Sequence, residues 1–147
     1  MTKTWARWLT VGAVLVATGV PGWAQIRLGQ TAGFTGPVAA GVKEITDGAK
    51  LYLDAVNARG GIGGQKIELV SLDDKFDPKL AAENARKLID QGVLALFLTR
   101  GTPHSQAVLP LLTEHKLALV APSTGAMALH QPQQHQLVEF GAIGIRG

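Results

Sequence analysis

A chain of 147 residues, 46% hydrophobic and 17% charged, has the length of one domain and is too apolar to stay disordered. With no cysteine, it excludes disulfides, thiolate zinc sites and a cysteine nucleophile. Its formal charge of +3 invites a nucleic-acid reading, which fails once the chain is divided.

Lys3 and Arg7 precede an uncharged apolar run from Trp8 to Val20. The run is about 13 residues, whereas spanning a bilayer takes about 20. Pro21, Gly22, Trp23 and Ala24 follow, so that a small residue ends the segment. A positive start, a short apolar middle and a small-residue cleavage site make a secretory signal peptide, with cleavage expected after Ala24. Removing 24 residues and two of the 14 basic side chains leaves 123 residues with 12 basic and 11 acidic groups, a net charge of +1. No basic cluster appears later, so the expectation is an exported, periplasmic protein with no nucleic-acid partner.

The segment from Ile26 to Ala32 alternates at first as a short strand does, and Gly33 to Pro37 break it. Val42, Ile45, Ala49, Leu53 and Val56 then recur at steps of three and four, one stripe of an amphipathic helix. Lys50 and Asp54 sit four apart on its outer side, as a weak pair. Gly60, Gly61, Gly63 and Gly64 end the helix, because glycine takes positive φ without steric cost. Ile67 to Asp73 read as a second strand. Asp77 before Pro78 is a helix start: an oxygen acceptor precedes a residue with no N–H to satisfy. That helix runs to about Gln91, with Ala81, Ala85, Leu88 and Ile89 inward and Glu83 and Lys87 as an outer pair, and Gly92 stops it. Val93 to Thr99 is an apolar run, the pattern of a strand buried on both faces. Residues 103–115 fit a third helix, Leu117 to Ala121 a fourth strand, a short helix is placed after Ser123, and Leu137 to Phe140 are a candidate fifth strand. Strands alternating with helices predict an α/β fold, a Rossmann-like parallel sheet with helices on both faces. Ligands of such sheets bind beyond the carboxyl ends of the strands, here at loops 33–37, 73–77, 100–104 and 122–126.

Most apparent motifs resolve into structure. The glycine cluster at 60–64 closes a helix instead of opening one, so it is a turn and not a dinucleotide loop. Asp73, Asp74 and Asp77 lack the glycine and glutamate of an EF-hand; Asp77 is assigned to helix capping and the other two to a solvated strand end. A phospho-accepting receiver needs an aspartate after the third strand, where Thr99 and Arg100 stand. His104, His115, His130 and His135 show no metal-ligand spacing, and no Gly-x-Ser-x-Gly elbow supports Ser105 or Ser123 as a nucleophile. The expectation is neither enzyme nor metal or other cofactor. Two loops remain: Gly101-Thr102-Pro103 and Pro122-Ser123-Thr124-Gly125. Each offers hydroxyls and backbone N–H groups that would hold a carboxylate at a helix N-terminus. Simple capping by Thr102 and Ser123 is the other reading of the same residues.

From Ile26 to Pro132 the chain resembles the type I periplasmic substrate-binding proteins of ABC transporters, in the leucine/isoleucine/valine receptor group. The resemblance is carried by Thr35-Gly36-Pro37, the stretch from Asp54 to Ile62 (with Asn57-Ala58-Arg59-Gly60-Gly61), Lys66-Ile67-Glu68-Leu69, Asp73-Asp74, Asp77-Pro78, Gly101-Thr102-Pro103 and Ala121 to Gly125. It implies a two-lobed protein that closes on a small polar ligand, an amino acid, amide or related solute, and delivers it to ABC permease subunits of the inner membrane. Gly101, Thr102, Ser123, Thr124 and Gly125 are the implied ligand-binding residues of the first lobe. An aromatic ring that some members contribute falls on Gly41, and the Thr that amino-acid binders often place in the second loop falls, by simple count, on Gly125, with Thr124 beside it as the alternative. The expected division is a signal peptide over 1–24, the first lobe over 25–132 and a divergent tail over 133–147. The second lobe is expected to be absent through truncation, with impaired binding. The alternative is a sensory or regulatory module of the same fold, without transport.

Overall fold

The computed structural model describes residues 25–126, Leu129 and the pair 137–138. The expected signal peptide, His130, His135, Phe140 and most of the helix placed after Ser123 lie outside the described residues. Eight elements follow in order: β1 (Ile26–Ala32), α1 (Ala39–Ala58), β2 (Ile67–Asp73), α2 (Pro78–Asp90), β3 (Ala95–Phe97), α3 (Thr102–His115), β4 (Ala118–Val120) and β5 (Leu137–Val138). They form one parallel sheet in the order β2-β1-β3-β4-β5. The α/β, Rossmann-like expectation is the observed fold.

β1 sits inside the sheet, and its alternation divides the two faces. Gly29 faces α2, where an added β-carbon would stand 3.0 Å from Leu96 and 3.2 Å from Leu88. Gln30 faces α1: its Nε2 donates to Thr46 Oγ1 at 2.9 Å, and Ser71 Oγ donates to its Oε1 at 2.8 Å. That buried relay ties β2, β1 and α1 together. It also corrects the predicted stripe of α1, whose buried residues are Val42, Thr46 and Leu53 while Ile45 is 38% exposed. Hydrogen bonding to Gln30 lets a threonine hold an inward position that hydropathy assigned to its neighbour.

The main core lies under α2 and α3. Leu88, Leu96, Leu112 and Leu119 are fully buried there, with Ala81, Ala85, Val93, Val108 and Leu109 around them. Burying each of these leucines contributes about 1.5–3 kcal/mol. The α1 face is open by comparison. Leu28, Tyr52, Leu53, Ile62, Phe97, Val120 and Ala121 line a groove of about 630 Å³ between α1 and the sheet.

Asp77 caps α2 as expected, accepting from Lys79 N–H at 2.8 Å. β3 is shorter than its apolar run, because Leu98 takes a φ of +56° and leaves the ladder. Leu94, within that run, is 64% exposed. Neither predicted helix-surface pair closes. Among the described residues the one ion pair is Arg27–Glu68 at 3.0 Å, exposed on both sides and worth at most about 1 kcal/mol.

Candidate functional site

The chain leaves β1 toward β2 through α1, then crosses to β3 on the other side through α2. The strand order therefore reverses between β1 and β3, and the crevice at their carboxyl ends is where sheets of this type take ligands. Loops 33–38 and 98–101 border that crevice, with loop 121–126 beside them.

β3 and β4 end alike. Leu98 and Ala121 both adopt left-handed φ, +56° and +50°. For residues bearing a β-carbon this costs on the order of 1 kcal/mol each, and it persists only where the surroundings hold it. The holding bonds are backbone ones: Leu98 N–H to Val120 O at 3.0 Å, Ser123 N–H to Thr99 O at 2.7 Å, and Gly101 N–H to Ser123 O at 3.2 Å. Two loops separated by a helix and a strand thus become one surface.

All five sequence-predicted residues fall on it. Gly101 is the N-cap of α3, with a φ of +97° and no side-chain cap. Thr102 opens the helix, and its hydroxyl meets that of Thr124 at 2.6 Å. Ala126 N–H donates to Thr124 Oγ1 at 3.3 Å. Ser123 bridges Arg100, and Gly125 is exposed with no neighbour within 4 Å of an added β-carbon. The capping account of Thr102 is thereby corrected: it stands inside the helix, and its hydroxyl partner is another hydroxyl.

Asp73 shapes the neighbouring loop. Its Oδ1 accepts the N–H groups of Phe34, Thr35 and Lys75 at 2.8, 3.2 and 2.9 Å, and its Oδ2 accepts the Thr35 hydroxyl at 2.6 Å. Burial pushes its pKa upward, but the bonds from the Thr35 hydroxyl and the three N–H groups outweigh that and hold it below the usual carboxylate range. Asp74 was expected to be solvated and is fully buried. It accepts from Thr31 Oγ1 at 3.1 Å and Phe76 N–H at 2.9 Å. Burial raises its pKa, and Asp73 adds to the rise, against the lowering pull of those two bonds and His104. The polar interior bonds available at this strand end let it enter the core.

His104 is 2% exposed and stacks on Phe76 with ring centroids 4.5 Å apart; neither ring nitrogen has a partner among the described residues. His115 is exposed at the end of α3. No group of three His, Cys, Asp or Glu residues gathers as metal ligands do, among the described residues.

Sequence reasoning passed over Arg100. Its guanidinium covers Gly41, 3.4–3.5 Å from where a β-carbon would stand. Gly41 is the position to which the resemblance assigned an aromatic ring, so a cation lies against the space such a ring would fill. The available signal was a single one: an arginine directly after a buried strand and before a predicted ligand loop.

A doubly wound parallel sheet carrying two tied, hydroxyl-bearing loops beside its switch point defines a Rossmann-like α/β lobe of the ligand-binding type. The chain belongs to the periplasmic binding protein family, whose sequence model matches residues 25–138 and so includes β5. It is 33% identical over 106 residues to the Leu/Ile/Val-binding protein BraC3 of Rhizobium johnstonii, covering 70% of this chain and 28% of that one. The branched-chain amino acid transporter substrate-binding protein LivJ of Streptococcus pneumoniae, solved with isoleucine, matches with a TM-score of 0.69 and 28% identity over 79% of this chain and 33% of that one. A fatty acid ABC transporter substrate-binding protein from Thermomonospora curvata matches with a TM-score of 0.67 and 34% identity over 71% of this chain and 26% of that one. The chain spans between 26% and 33% of the length of these relatives.

Proposed function

We propose that this chain supplies one wall of the solute-binding cleft of an ABC importer's periplasmic receptor, acting by binding and not by catalysis. Thr102, Ser123, Thr124 and Gly125 hold the carboxylate of an amino acid or the carbonyl of an amide, on a loop that Gly101 shapes through its N–H bond to Ser123 O. The observation that carries this reading is the meeting of the Thr102 and Thr124 hydroxyls at 2.6 Å, at the carboxyl edge of the sheet. The N–H groups of Thr102 and Gly125 add donors that no described residue engages. Isoleucine, named with one structural relative, and fatty acid, named with another, share a carboxylate and little else. That common group is what donors of this kind recognise.

Export to the periplasm, with removal of residues 1–24, and delivery to membrane permease subunits belong to the same proposal. The opposing wall comes from the part of the family's length that this chain does not span. A single wall leaves much of a solute in water, so the isolated chain binds more weakly than micromolar. Calorimetry against an amino-acid panel tests this, paired with a nuclear magnetic resonance titration at millimolar solute. Shifts confined to residues 101–102 and 123–125, lost in Thr102→Val, support the site. Micromolar binding by this chain, or shifts centred elsewhere, would overturn it.

A further inference from the structure

Arg100 directly precedes Gly101 in the loop after β3 and is bridged to Ser123, and its side chain takes no part in the side-chain bonds of the two loops. Thr99 Oγ1 meets Ser105 Oγ at 3.2 Å, and Thr102 meets Thr124 at 2.6 Å. The Arg100 guanidinium belongs to no ion pair among the described residues. It lies flat on the first turn of α1: Cζ, Nη1 and Nη2 stand 3.5, 3.4 and 3.4 Å from the position of a β-carbon on Gly41. Near-equal distances mean that the face of the plane rests on the glycine. The five N–H donors of a guanidinium lie in its plane, so a covered face leaves the donor edge open.

The walls around it offer little else. Gln30, Val42, Ile45, Leu98 and Ser123 close with Arg100 on a space of about 10 Å³, room for about one water. Gln30 already bonds Thr46 and Ser71. That space is too small for a solute side chain of any class. A solute would therefore meet the guanidinium at its donor edge, where an aliphatic group would leave the donors unpaired. An anionic group would meet that edge and form charge-assisted hydrogen bonds.

We infer that the solute carries a second anionic group, read by Arg100, so that the preferred class is a dicarboxylate or acidic amino acid and not an aliphatic one. Arg100 is then the specificity-determining residue of the cleft. This rests on the carboxylate site proposed above, and the test separates the two.

Isotope-labelled full chain is titrated with L-glutamate, with its neutral isostere L-glutamine, and with L-isoleucine. The backbone amides of residues 101–102 and 123–125 are followed, together with the Arg100 Nε–H. Expected are loop shifts with all three solutes, an Arg100 shift with glutamate alone, and about tenfold tighter binding of glutamate than of glutamine or isoleucine, the fold-change of one charge-assisted hydrogen bond. Arg100→Gln brings the glutamate-to-glutamine ratio to about one. So does Gly41→Trp, which fills the seat of the guanidinium without touching Arg100 chemically. Loop shifts with a wild-type ratio near one, or with isoleucine bound most tightly, overturn the assignment of Arg100 and leave the carboxylate site standing. An absence of loop shifts with every solute overturns both.

Discussion

Gly101→Ala tests whether the loop at the carboxyl end of β3 depends on a conformation only glycine adopts freely. Gly101 has φ +97° and ψ 141°, close to a backbone region that is nearly exclusive to glycine and costs other residues about 1–3 kcal/mol. The new methyl group would lie 2.8 Å from His104 Nδ1 and 3.3 Å from Phe76 Cε2. The imidazole cannot swing away cheaply, being 2% exposed and stacked on Phe76. Moving a packed ring costs about 1–3 kcal/mol more. The expected loss is about 2–6 kcal/mol, a large share of the roughly 5–15 kcal/mol that stabilises a domain. At about 4 °C or more per kcal/mol for a domain near 100 residues, Tm falls by about 8 °C or more. Urea and thermal unfolding followed by circular dichroism measure both quantities. Gly125→Ala is the matched control, because an added β-carbon there meets nothing within 4 Å, and its effect stays within about 0.5 kcal/mol. Equal losses below about 1 kcal/mol in both variants would refute the reasoning.

Three further substitutions probe other parts of the lobe. Gly48→Ala, in the exposed interior of α1 with nothing within 4 Å of the new methyl, raises stability by about 0.5–1 kcal/mol in urea titrations; a loss there would mean that α1 is not helical at this point. Asn57 clamps β2, its Oδ1 accepting Ile67 N–H at 2.7 Å and its Nδ2 donating to Ile67 O at 2.8 Å, so Asn57→Ala costs about 1–3 kcal/mol and accelerates amide exchange at Ile67. Unchanged exchange there would count against the clamp. Asp73 has a lowered folded pKa, so its stabilising contribution is present above the ordinary Asp pKa and is lost as pH falls through the folded value. The stability gap between wild type and Asp73→Asn therefore narrows below about pH 4, whereas a gap constant from pH 7 to pH 2 contradicts the bonding described. Asp74 acts in the opposite sense: its raised pKa makes its charge a cost above that range, relieved on acidification. The difference between the two proteins, and not the wild-type curve alone, is thus the quantity to follow.

Local chemistry determined most of the fold. Period-two and period-3.6 apolar patterns, the Asp77–Pro78 start, and the stops at Gly60–Gly64 and Gly92 depend on neighbouring residues only, so they place helices and strands before any packing is known. The α/β order and the two hydroxyl-bearing loops followed from that placement. Tertiary structure decided what depends on partners distant in the chain. Thr46 is buried because Gln30 of β1 reaches it, and Asp74 because Thr31 and the turn at Phe76 bond its carboxylate. Thr102 and Thr124 meet only because β3 and β4 pair in parallel register and end in matching left-handed residues. Arg100 lies over Gly41 only because the strand order reverses between β1 and β3. Each of these depends on a partner that packing brings near, which is why residue types and spacing name the loops of the site while the fold assembles them.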